Sequence, residues 1–244
     1  MIERFSINGI IVPCFLAAIV LASCSEMESD SDHMFRGDSE SELTETAPGV
    51  GGGRPKVVLL GDSITAGLGI ATSEAYPAQL QVLANRGGYA VEFLPRAESG
   101  GTTAGGVRRL GWSLDPGVRA VVIALGGNDG LRGLPIDQMY ENLELIITRV
   151  KEMGIYVVLV GMEAPPNFGS DYTAQFRQVF HTLAETYEVP FVPFLLEGVA
   201  GIAELNQSDG IHPNAEGARR VAEHLWPVIE PLLAELEEVP SVTR

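Results

Sequence analysis

Five short and nearly continuous apolar runs lie along the chain after residue 55. They span Lys56–Leu60, Ala90–Leu94, Ala120–Leu125, Tyr156–Val160 and Pro190–Phe194. Runs of this length that are rich in β-branched side chains, and that do not alternate with polar residues, are typical of strands buried on both faces. The pattern therefore predicts five strands of a parallel sheet.

Segments with the spacing of amphipathic helices separate these runs. Apolar side chains recur every three or four residues in four stripes, which comprise Tyr76, Leu80, Leu83 and Ala84, then Ile136, Met139, Leu143, Ile146, Ile147 and Val150, then Tyr172, Phe176, Val179, Phe180 and Leu183, and finally Ala218, Val221, Ala222, Leu225 and Leu232. Such stripes are the core-facing surfaces of helices. The alternation predicts an α/β three-layer fold, with helices on both faces of the sheet.

Polar, glycine-rich segments follow four of the predicted strands. Their sequences are GDSIT at 61–65, ESGGTT at 98–103, GGNDG at 126–130 and, after a longer loop, SDGIHP at 208–213. In an open parallel sheet the carboxyl ends of the strands lie at one edge, and ligands bind there. We therefore expect these four segments to form one site.

These segments contain a serine, a histidine and an aspartate, the residue types that together form an activated nucleophile. A serine hydroxyl attacks well only when a base removes its proton, and that base is usually a histidine oriented by a carboxylate. Of the four histidines, one precedes the domain and two lie in predicted helices, so only His212 lies in a loop at the expected edge. Asp209 precedes it by three residues. We interpret Ser63 as the nucleophile, His212 as the base and Asp209 as the residue that orients the base.

Attack by Ser63 creates an oxyanion, which needs hydrogen-bond donors. The backbone N–H groups of Ser63 and Gly100 and the side-chain amide of Asn128 are candidates at the same edge of the sheet. Each residue also has an ordinary alternative role, since Gly-Asp-Ser and glycine pairs are common in turns and Asn128 can stabilise its own turn. The combination favours a catalytic site, because candidate catalytic residues follow each of four predicted strands.

Composition and charge narrow the range of functions. The 244 residues include 32 acidic and 16 basic side chains, for a formal net charge of −16. Such a chain lacks the basic surface that a nucleic acid requires, so no nucleic-acid partner is expected. The two cysteines, Cys14 and Cys24, both lie near the N-terminus. Their placement excludes a disulfide framework, a zinc finger or a thiol nucleophile in the rest of the chain.

The N-terminal segment resembles an export signal. Residues 9–22 are apolar but short for a membrane span, and Leu21-Ala22-Ser23-Cys24 resembles the lipobox of bacterial lipoproteins. This resemblance predicts a lipoprotein-type signal peptide over residues 1–23 and lipidation of Cys24. The alternative is an uncleaved N-terminal anchor, and both interpretations tether the chain to a membrane.

An acidic spacer follows the predicted anchor. Residues 24–53 hold eight acidic residues against one arginine and end in three glycines, a composition that cannot bury enough apolar surface to fold. We therefore predict a disordered linker over 24–53 and one domain over 54–244. The protein is expected to be exported and lipid-anchored to the bacterial envelope, facing the periplasm or the cell exterior. Ser25, which is not an aspartate, favours the outer membrane by resemblance.

The order of the four polar segments resembles that of the SGNH hydrolases, also called the GDSL family. The matching blocks are GDSIT, the Gly100 loop, GGND and DGIHP. Longer segments resemble the arylesterase, acyl-CoA thioesterase I and lysophospholipase L1 branch, namely LGGNDGLRG, MEAPPNFGSDY, VPFVPFLLEGVA and DGIHPNAEG. The resemblance covers residues 56–233, nearly all of the predicted domain.

The resemblance implies a flavodoxin-like five-stranded parallel sheet, no metal, no organic cofactor, and hydrolysis of an ester or thioester through an acyl-serine. It assigns Ser63, His212 and Asp209 to the triad, and Gly100 and Asn128 to the oxyanion hole with the Ser63 N–H. The chain departs from the family at Gly101, where many members have an acidic residue. We expect that departure to affect the shape of the loop and not the chemistry.

An apolar groove for the acyl group is expected beside the triad. Five apolar side chains in the flanking loops are candidates for its lining, with local packing as their alternative role: Leu68, Leu131, Leu134, Phe168 and Tyr172. At Phe168 the branch often has tyrosine. The alternatives to a general esterase are a carbohydrate O-acetyl esterase and a non-catalytic surface lipoprotein. An α/β-hydrolase is disfavoured because no Gly-x-Ser-x-Gly segment occurs.

Overall fold

The computed structural model describes residues 53–238. The predicted signal peptide, the predicted lipidation site at Cys24 and the predicted linker up to residue 52 therefore lie outside the described residues. Among the helices of residues 53–238, none is both long enough and apolar enough to cross a lipid bilayer.

Five parallel strands form one sheet. Strand β1 spans Lys56–Gly61, β2 Glu92–Ala97, β3 Val118–Ala124, β4 Tyr156–Val160 and β5 Phe191–Val192. The spatial order is β2-β1-β3-β4-β5, and every neighbouring pair is parallel. This is the strand order of flavodoxin-like folds, in which a crevice opens between β1 and β3 where the winding reverses. The structure confirms the predicted five-stranded parallel sheet.

Helices cover both faces of this sheet. They are α1 (Ser63–Ala66), α2 (Tyr76–Gly87), α3 (Thr103–Ser113), α4 (Gly127–Leu131), α5 (Ile136–Glu152), α6 (Ser170–Tyr187) and α7 (Ala215–Glu238), with short 3₁₀ turns at Pro166–Phe168 and Ala203–Leu205. Helices α2 and α7 pack against each other, and α5 packs against both α3 and α6. The result is the predicted three-layer arrangement.

The core forms where the apolar runs and the helical stripes meet. Leu59 of β1 and Ile123 of β3 are completely buried, as are Leu143, Ile146 and Val150 of α5. Full burial of each large aliphatic side chain contributes about 1.5–3 kcal/mol relative to leaving it in water. This rigid core holds the carboxyl ends of β1, β2 and β3 in fixed positions.

Helix α3 is an element that the apolar pattern did not predict. Its glycines at 105, 106 and 111 dilute the apolar period, and Leu110 is its only large buried apolar side chain. The helix begins after Thr102, whose hydroxyl accepts from Gly105 N–H at 3.3 Å. A Cβ at Gly106 would lie 2.4 Å from Leu125 Cδ1, so a glycine permits the close approach of α3 to the sheet.

The predicted strand bounds differ from the observed bounds at both edges of the sheet. Strand β2 begins two residues later than predicted and extends through Pro95 to Ala97. A proline is tolerated there because β2 is an edge strand, whose unpaired side needs no N–H donor. At the other edge, β5 is only Phe191–Val192, because prolines flank it at 190 and 193.

Candidate active site

The turn from β1 into α1 presents Ser63. A Cβ at Gly61 would lie 1.8 Å from Thr65 Oγ1, so only glycine fits where the strand bends into the helix. Asp62 caps the helix, because its Oδ1 accepts from Ile64 N–H at 3.1 Å. Ser63 is the first residue of α1, and it is 8% exposed at the edge of a cavity.

Ser63, His212 and Asp209 form a continuous hydrogen-bonded row. The distance from Ser63 Oγ to His212 Nε2 is 2.8 Å, and the distance from His212 Nδ1 to Asp209 Oδ2 is 2.7 Å. Both lie within the range expected for a nucleophile with its base, and for a base with the group that orients it. The sequence interpretation placed the same three residues in the same order.

The carboxylate of Asp209 is fixed by its own loop. Its Oδ1 accepts from Ile211 N–H at 2.9 Å and from His212 N–H at 3.0 Å. The hydrogen bond from the His212 ring and these two backbone donors lower the pKa of Asp209 to about 2. Asp209 is therefore ionised at neutral pH, as a partner for an imidazole that gains a proton must be.

Gln207 links the loop of His212 to the loop that follows Ser63. Its side-chain amide donates to Leu68 O at 2.7 Å and to Pro213 O at 3.0 Å, and its backbone N–H donates to His212 O at 2.8 Å. A Cβ at Gly69 would lie 2.1 Å from Gln207 Oε1, so glycine makes room for this side chain. The sequence analysis missed Gln207, although it lies directly before the SDGIHP segment.

The three predicted oxyanion donors border the same cavity. Gly100 has φ +76°, and its N–H has no acceptor within residues 53–238. Asn128 Nδ2 donates to Asp62 Oδ2 at 3.1 Å and to Gly101 O at 3.1 Å. Because these bonds set the orientation of the amide, Asn128 is held at the cavity by a carboxylate from the turn after β1 and a carbonyl from the turn after β2.

Asp62 is a further residue of this site to which the sequence analysis gave no role. It is 4% exposed, and burial raises the pKa of its carboxyl, against the lowering effect of the Ile64 N–H, the Asn128 amide and the nearby His212 and Arg109. A buried carboxylate is retained only where hydrogen bonds compensate its lost hydration. The signal in the sequence that could have identified Asp62 is its position directly before Ser63.

A second buried carboxylate supports the loop that carries Asn128. Asp129 accepts from Thr103 N–H at 2.9 Å and from Thr103 Oγ1 at 2.6 Å. Burial raises the pKa of Asp129, and the bonds from Thr103 counteract part of that effect. Through this contact the start of α3 and the start of α4 are fixed relative to each other.

An apolar cavity of about 520 Å³ opens beside Ser63 and His212. Leu68 and Leu131, two of the residues selected from the sequence for an acyl groove, line it. The further apolar lining comes from residues that the sequence analysis did not select, among them Met162, Pro165, Phe194, Leu196 and Ile211. They follow β4 and β5 or precede His212. The rule that ligands bind at the carboxyl ends of parallel strands, which located the polar residues, therefore applies to them as well; it is called the strand-end rule below.

Three predicted groove residues lie elsewhere. Leu134 and Tyr172 line a different cavity, and the Tyr172 hydroxyl donates to Leu134 O at 3.0 Å. Phe168 packs against Tyr172, with ring centroids 5.3 Å apart. The chain turns at Gly133, with φ +59°, after α4 has ended, and this turn carries Leu134 away from the cavity beside Ser63. A role of these three residues in an acyl groove stays a prediction.

Titratable groups in this region do not form a metal-binding set. Within residues 53–238, no group of three or more His, Cys, Asp or Glu side chains is arranged to hold a metal ion. The polar groups at the cavity are instead the hydroxyl, imidazole, amide and backbone N–H groups described above. They suit nucleophilic attack on a carbonyl with stabilisation of the resulting oxyanion.

Comparison with known proteins places this arrangement in a family. Residues 59–220 match the GDSL-like lipase/acylhydrolase family. The chain is 40% identical to esterase TesA of Pseudomonas aeruginosa over 178 residues, which are 72% of this chain and 89% of that protein. It is 36% identical to an arylesterase of Vibrio mimicus over 69% of this chain and 84% of that protein. Thioesterase 1/protease 1/lysophospholipase L1 of Escherichia coli is 33% identical over 72% of this chain and 84% of that protein.

Solved structures agree with these relatives. The crystal structure of TesA superposes with a TM-score of 0.70 at 39% identity, over 72% of this chain and 99% of that one. AlinE4, an SGNH-hydrolase family esterase, superposes with a TM-score of 0.62 at 34% identity, over 74% of this chain and 97% of that one. On the sequence match and the shared fold, the chain belongs to the GDSL-like lipase/acylhydrolase family.

Proposed function

We propose that the chain hydrolyses carboxylic esters through an acyl-serine intermediate on Ser63, with His212 as the base and Asp209 as the group that orients it. Its family and its relatives, which are named esterase, arylesterase and thioesterase, identify it as a carboxylic ester hydrolase. The observation that carries the residue assignment is the row of two short contacts, Ser63 Oγ to His212 Nε2 at 2.8 Å and His212 Nδ1 to Asp209 Oδ2 at 2.7 Å.

The first half of the reaction forms the acyl-serine. Ser63 Oγ attacks the carbonyl carbon while its proton moves to His212 Nε2, and the ionised Asp209 stabilises the imidazolium. The tetrahedral intermediate then collapses, the bond to the leaving group breaks, and Nε2 gives its proton to that group. In the second half, a water molecule gives a proton to Nε2 while its oxygen attacks the acyl carbon. The bond from that carbon to Ser63 Oγ then breaks, Nε2 returns its proton to Oγ, and the acid leaves.

The oxyanion of each intermediate is stabilised by the N–H groups of Ser63 and Gly100 and by the amide of Asn128. The amide hydrogen that contacts Gly101 O is the one available to the oxyanion, which would compete with that carbonyl for it. The other stays with Asp62, because a carboxylate is a stronger acceptor than a peptide carbonyl. Asp62 thus keeps the amide in the orientation that the intermediate needs.

The cavity beside Ser63 is proposed to hold the acyl chain. Its walls include Leu68, Leu131 and Phe194, which suit a hydrocarbon tail. Glu163, a carboxylate that also lines the cavity, is paired with Arg177. A matched pair of variants tests this assignment with p-nitrophenyl esters of increasing chain length. Leu131→Ala should raise KM for long acyl chains by about three- to tenfold, whereas Leu134→Ala, which removes the same side chain at the other cavity, should not. Equal effects of the two substitutions on KM would show that the acyl chain does not bind in this cavity.

The proposed nucleophile has a direct test. A fluorophosphonate probe should label the wild-type chain at one residue, and peptide mapping should identify Ser63. Ser63→Ala should abolish both labelling and hydrolysis of p-nitrophenyl esters. Unchanged labelling in Ser63→Ala would move the nucleophile to another residue. Including acetylated xylan in the same hydrolysis screen separates a general esterase from a carbohydrate O-acetyl esterase.

The cellular location is proposed from the sequence of the N-terminus. Cys24 after the Leu-Ala-Ser segment supports a lipid-anchored form whose signal peptide ends at residue 23, with the acidic residues up to 53 as a spacer and a domain over 54–244. Mass spectrometry of the mature N-terminus from the native host should find acylated Cys24. A chain that retains Met1 would contradict this assignment.

A further inference from the structure

A guanidinium group lies directly behind the oxyanion donors. Arg109 projects from α3 toward the ends of β1 and β2, and its side chain is only 16% exposed. Its Nη2 donates to Gly61 O at 2.5 Å, and its Nη1 lies 3.3 Å from Glu98 Oε2. Neither contact involves the hydrogen-bonded row of Ser63, His212 and Asp209.

Gly61 O joins the two backbone segments that carry oxyanion donors. It accepts from Glu98 N–H at 3.2 Å as well as from Arg109. The peptide that follows Gly61 leads through Asp62 to the Ser63 N–H. The turn that begins at Glu98 is closed by the bond from Gly101 N–H to Glu98 O, at 2.8 Å, and holds Gly100. A single guanidinium therefore holds the point where both segments meet.

The charge of Arg109 has two carboxylates near it. Burial lowers the pKa of this guanidinium, and the nearby carboxylates of Glu98 and Asp62 raise it again. Within the described residues its Nε has no hydrogen-bond partner, so the side chain is held through its two terminal nitrogens. Since Asp62 in turn orients the Asn128 amide, Arg109 also supports the third donor electrostatically.

Gly101 explains why Glu98 is needed as the partner. A Cβ at this position would lie 3.2 Å from Arg109 Nη1, so a side chain here would point at the guanidinium. The same Cβ would lie 2.8 Å from Glu98 O, which is closer than this tight turn allows. The carboxylate that reaches Arg109 comes instead from Glu98, on the other arm of the turn.

We propose that Arg109 is a positioning residue for the oxyanion hole, and that Glu98 is the counterion that holds it, in place of a side chain at Gly101. The inference rests on the proposed function, because the donors matter only if an oxyanion forms at Ser63. Arg109 touches no reacting atom. It acts by holding Gly61 O and the Glu98–Gly101 turn, and misplacement of donors by a fraction of an ångström weakens transition-state stabilisation more than substrate binding.

The test compares substitutions of adjacent arginines on α3. Arg109→Met keeps an unbranched apolar stem and removes both contacts, and Arg109→Lys keeps the charge but not the fork. The control is Arg108→Met, because Arg108 is exposed. With a p-nitrophenyl ester, kcat of Arg109→Met should fall about 10- to 100-fold, with KM within about threefold of wild type. The kcat of Arg109→Lys should lie between those of wild type and Arg109→Met, and the kcat of Arg108→Met should match wild type. A kcat for Arg109→Met within twofold of wild type, or a loss entirely in KM, overturns the proposal.

A second pair of variants keeps the test independent of folding of Arg109→Met. Glu98 is 61% exposed, so Glu98→Gln should fold normally and lower kcat about threefold, which is about 0.65 kcal/mol in the barrier. Glu92→Gln, at an exposed position on β2, the strand that precedes Glu98, is its control. Adding Glu98→Gln to Arg109→Met should have no further effect, because contacting residues are not additive. Full additivity, or no effect of Glu98→Gln, contradicts the role of Glu98.

Failure of this inference is distinguishable from failure of the proposed function. If the wild-type chain is labelled at Ser63 and hydrolyses esters while Arg109→Met does so equally well, only the positioning role is wrong. If the wild-type chain is neither labelled nor active, the proposed function is wrong and the positioning role has no reaction to serve. Thermal unfolding of each variant, measured alongside, separates lost rate from lost folded protein.

Discussion

Two aspartates flank the candidate nucleophile and base, in opposite environments. Asp62 is 4% exposed, and burial raises the pKa of its carboxyl. The side chain of Asp209 is 45% exposed, and three N–H donors lower its pKa to about 2. The same residue type is therefore placed once inside the sheet edge and once on a loop.

The difference follows from what each carboxylate holds. Asp62 orients the neutral amide of Asn128 and caps α1, so a position inside the core gives it rigidity at a cost in desolvation. Asp209 holds an imidazole that gains a full charge in the proposed reaction, so it must stay ionised and solvated. The donor side of the site is built into the sheet, and the proton-transfer side depends on a loop anchored by Gln207.

The largest effects are expected on the proton-transfer side. Ser63→Ala and His212→Ala should each lower kcat by about 10⁴–10⁶-fold, and the double variant should be little worse than either single one. Asp209→Ala should lower kcat less, by about 10⁴-fold, because Asp209 orients the base and does not itself transfer the proton. Steady-state kinetics with a p-nitrophenyl ester measure all four variants.

His181 is the control for these substitutions, because it lies in α6 and its ring contacts Phe191 and not the site. His181→Ala should retain kcat within about twofold, because residues that share no partner with the site act independently of it. If His181→Ala lost activity while His212→Ala kept it, the division of the site into these two sides would have to be abandoned.

Substitutions on the donor side should lower activity less than those on the proton-transfer side, and the loss should be in kcat. Asn128→Ala should lower kcat about 10²–10³-fold with little change in KM, as expected for one oxyanion donor. Asp62→Asn replaces the acceptor of the amide with a group that can donate, so it should lower kcat about 10- to 100-fold. Combining the two should add little to Asn128→Ala alone. Additive losses would show that Asp62 serves something other than the amide.

Loss of the loop anchor should have a smaller effect. Gln207→Leu removes the bonds to Leu68 O and Pro213 O, which tie the His212 loop to the Ser63 loop, and should lower kcat about tenfold. Gln178→Leu is the control, since within residues 53–238 the side chain of Gln178 hydrogen-bonds to Thr182 on its own helix and to no group of the site. An unchanged kcat in Gln207→Leu would show that the loop holds its position without this residue.

The smallest expected effect is on stability at acid pH, where the two aspartates should act with opposite signs. The pKa of Asp209 is lowered by folding, so its contribution is present above its ordinary pKa of 3.8 and is lost as the pH falls toward about 2. The pKa of Asp62 is raised by folding, so ionisation of its carboxyl destabilises the fold as the pH rises above 3.8.

Urea denaturation between pH 2 and pH 6 measures both contributions as the free energy of unfolding. Asp209→Asn should flatten the rise in stability with pH below 3.8, and Asp62→Asn should flatten the fall above it. Glu92→Gln, which removes an exposed carboxyl on β2, is the control. Slopes of the same sign for the two aspartates would contradict the opposite environments described here.

Much of the fold was predictable from local sequence. The strand β4 was predicted at its observed bounds, and the stripes over α5 and α6 face the core, because the apolar period directly encodes which face is buried. Helix α3 was not predicted, because its three glycines interrupt the apolar period, and Gly106 serves close packing against Leu125 and Ile146. A period carries no information about a contact that depends on the absence of a side chain.

The sequence by itself determined the chemistry of the polar groups and the edge at which they gather. The strand-end rule selected Ser63, Gly100, Asn128, Asp209 and His212, because parallel strands bring their carboxyl ends together whatever the loops do. Only the tertiary structure decided which neighbours hold those groups in place, namely Asp62, Gln207 and Arg109. It also decided that Leu131 lines the cavity and Leu134 does not. Those outcomes depend on loop paths and on contacts between residues far apart in the chain, which no local pattern records.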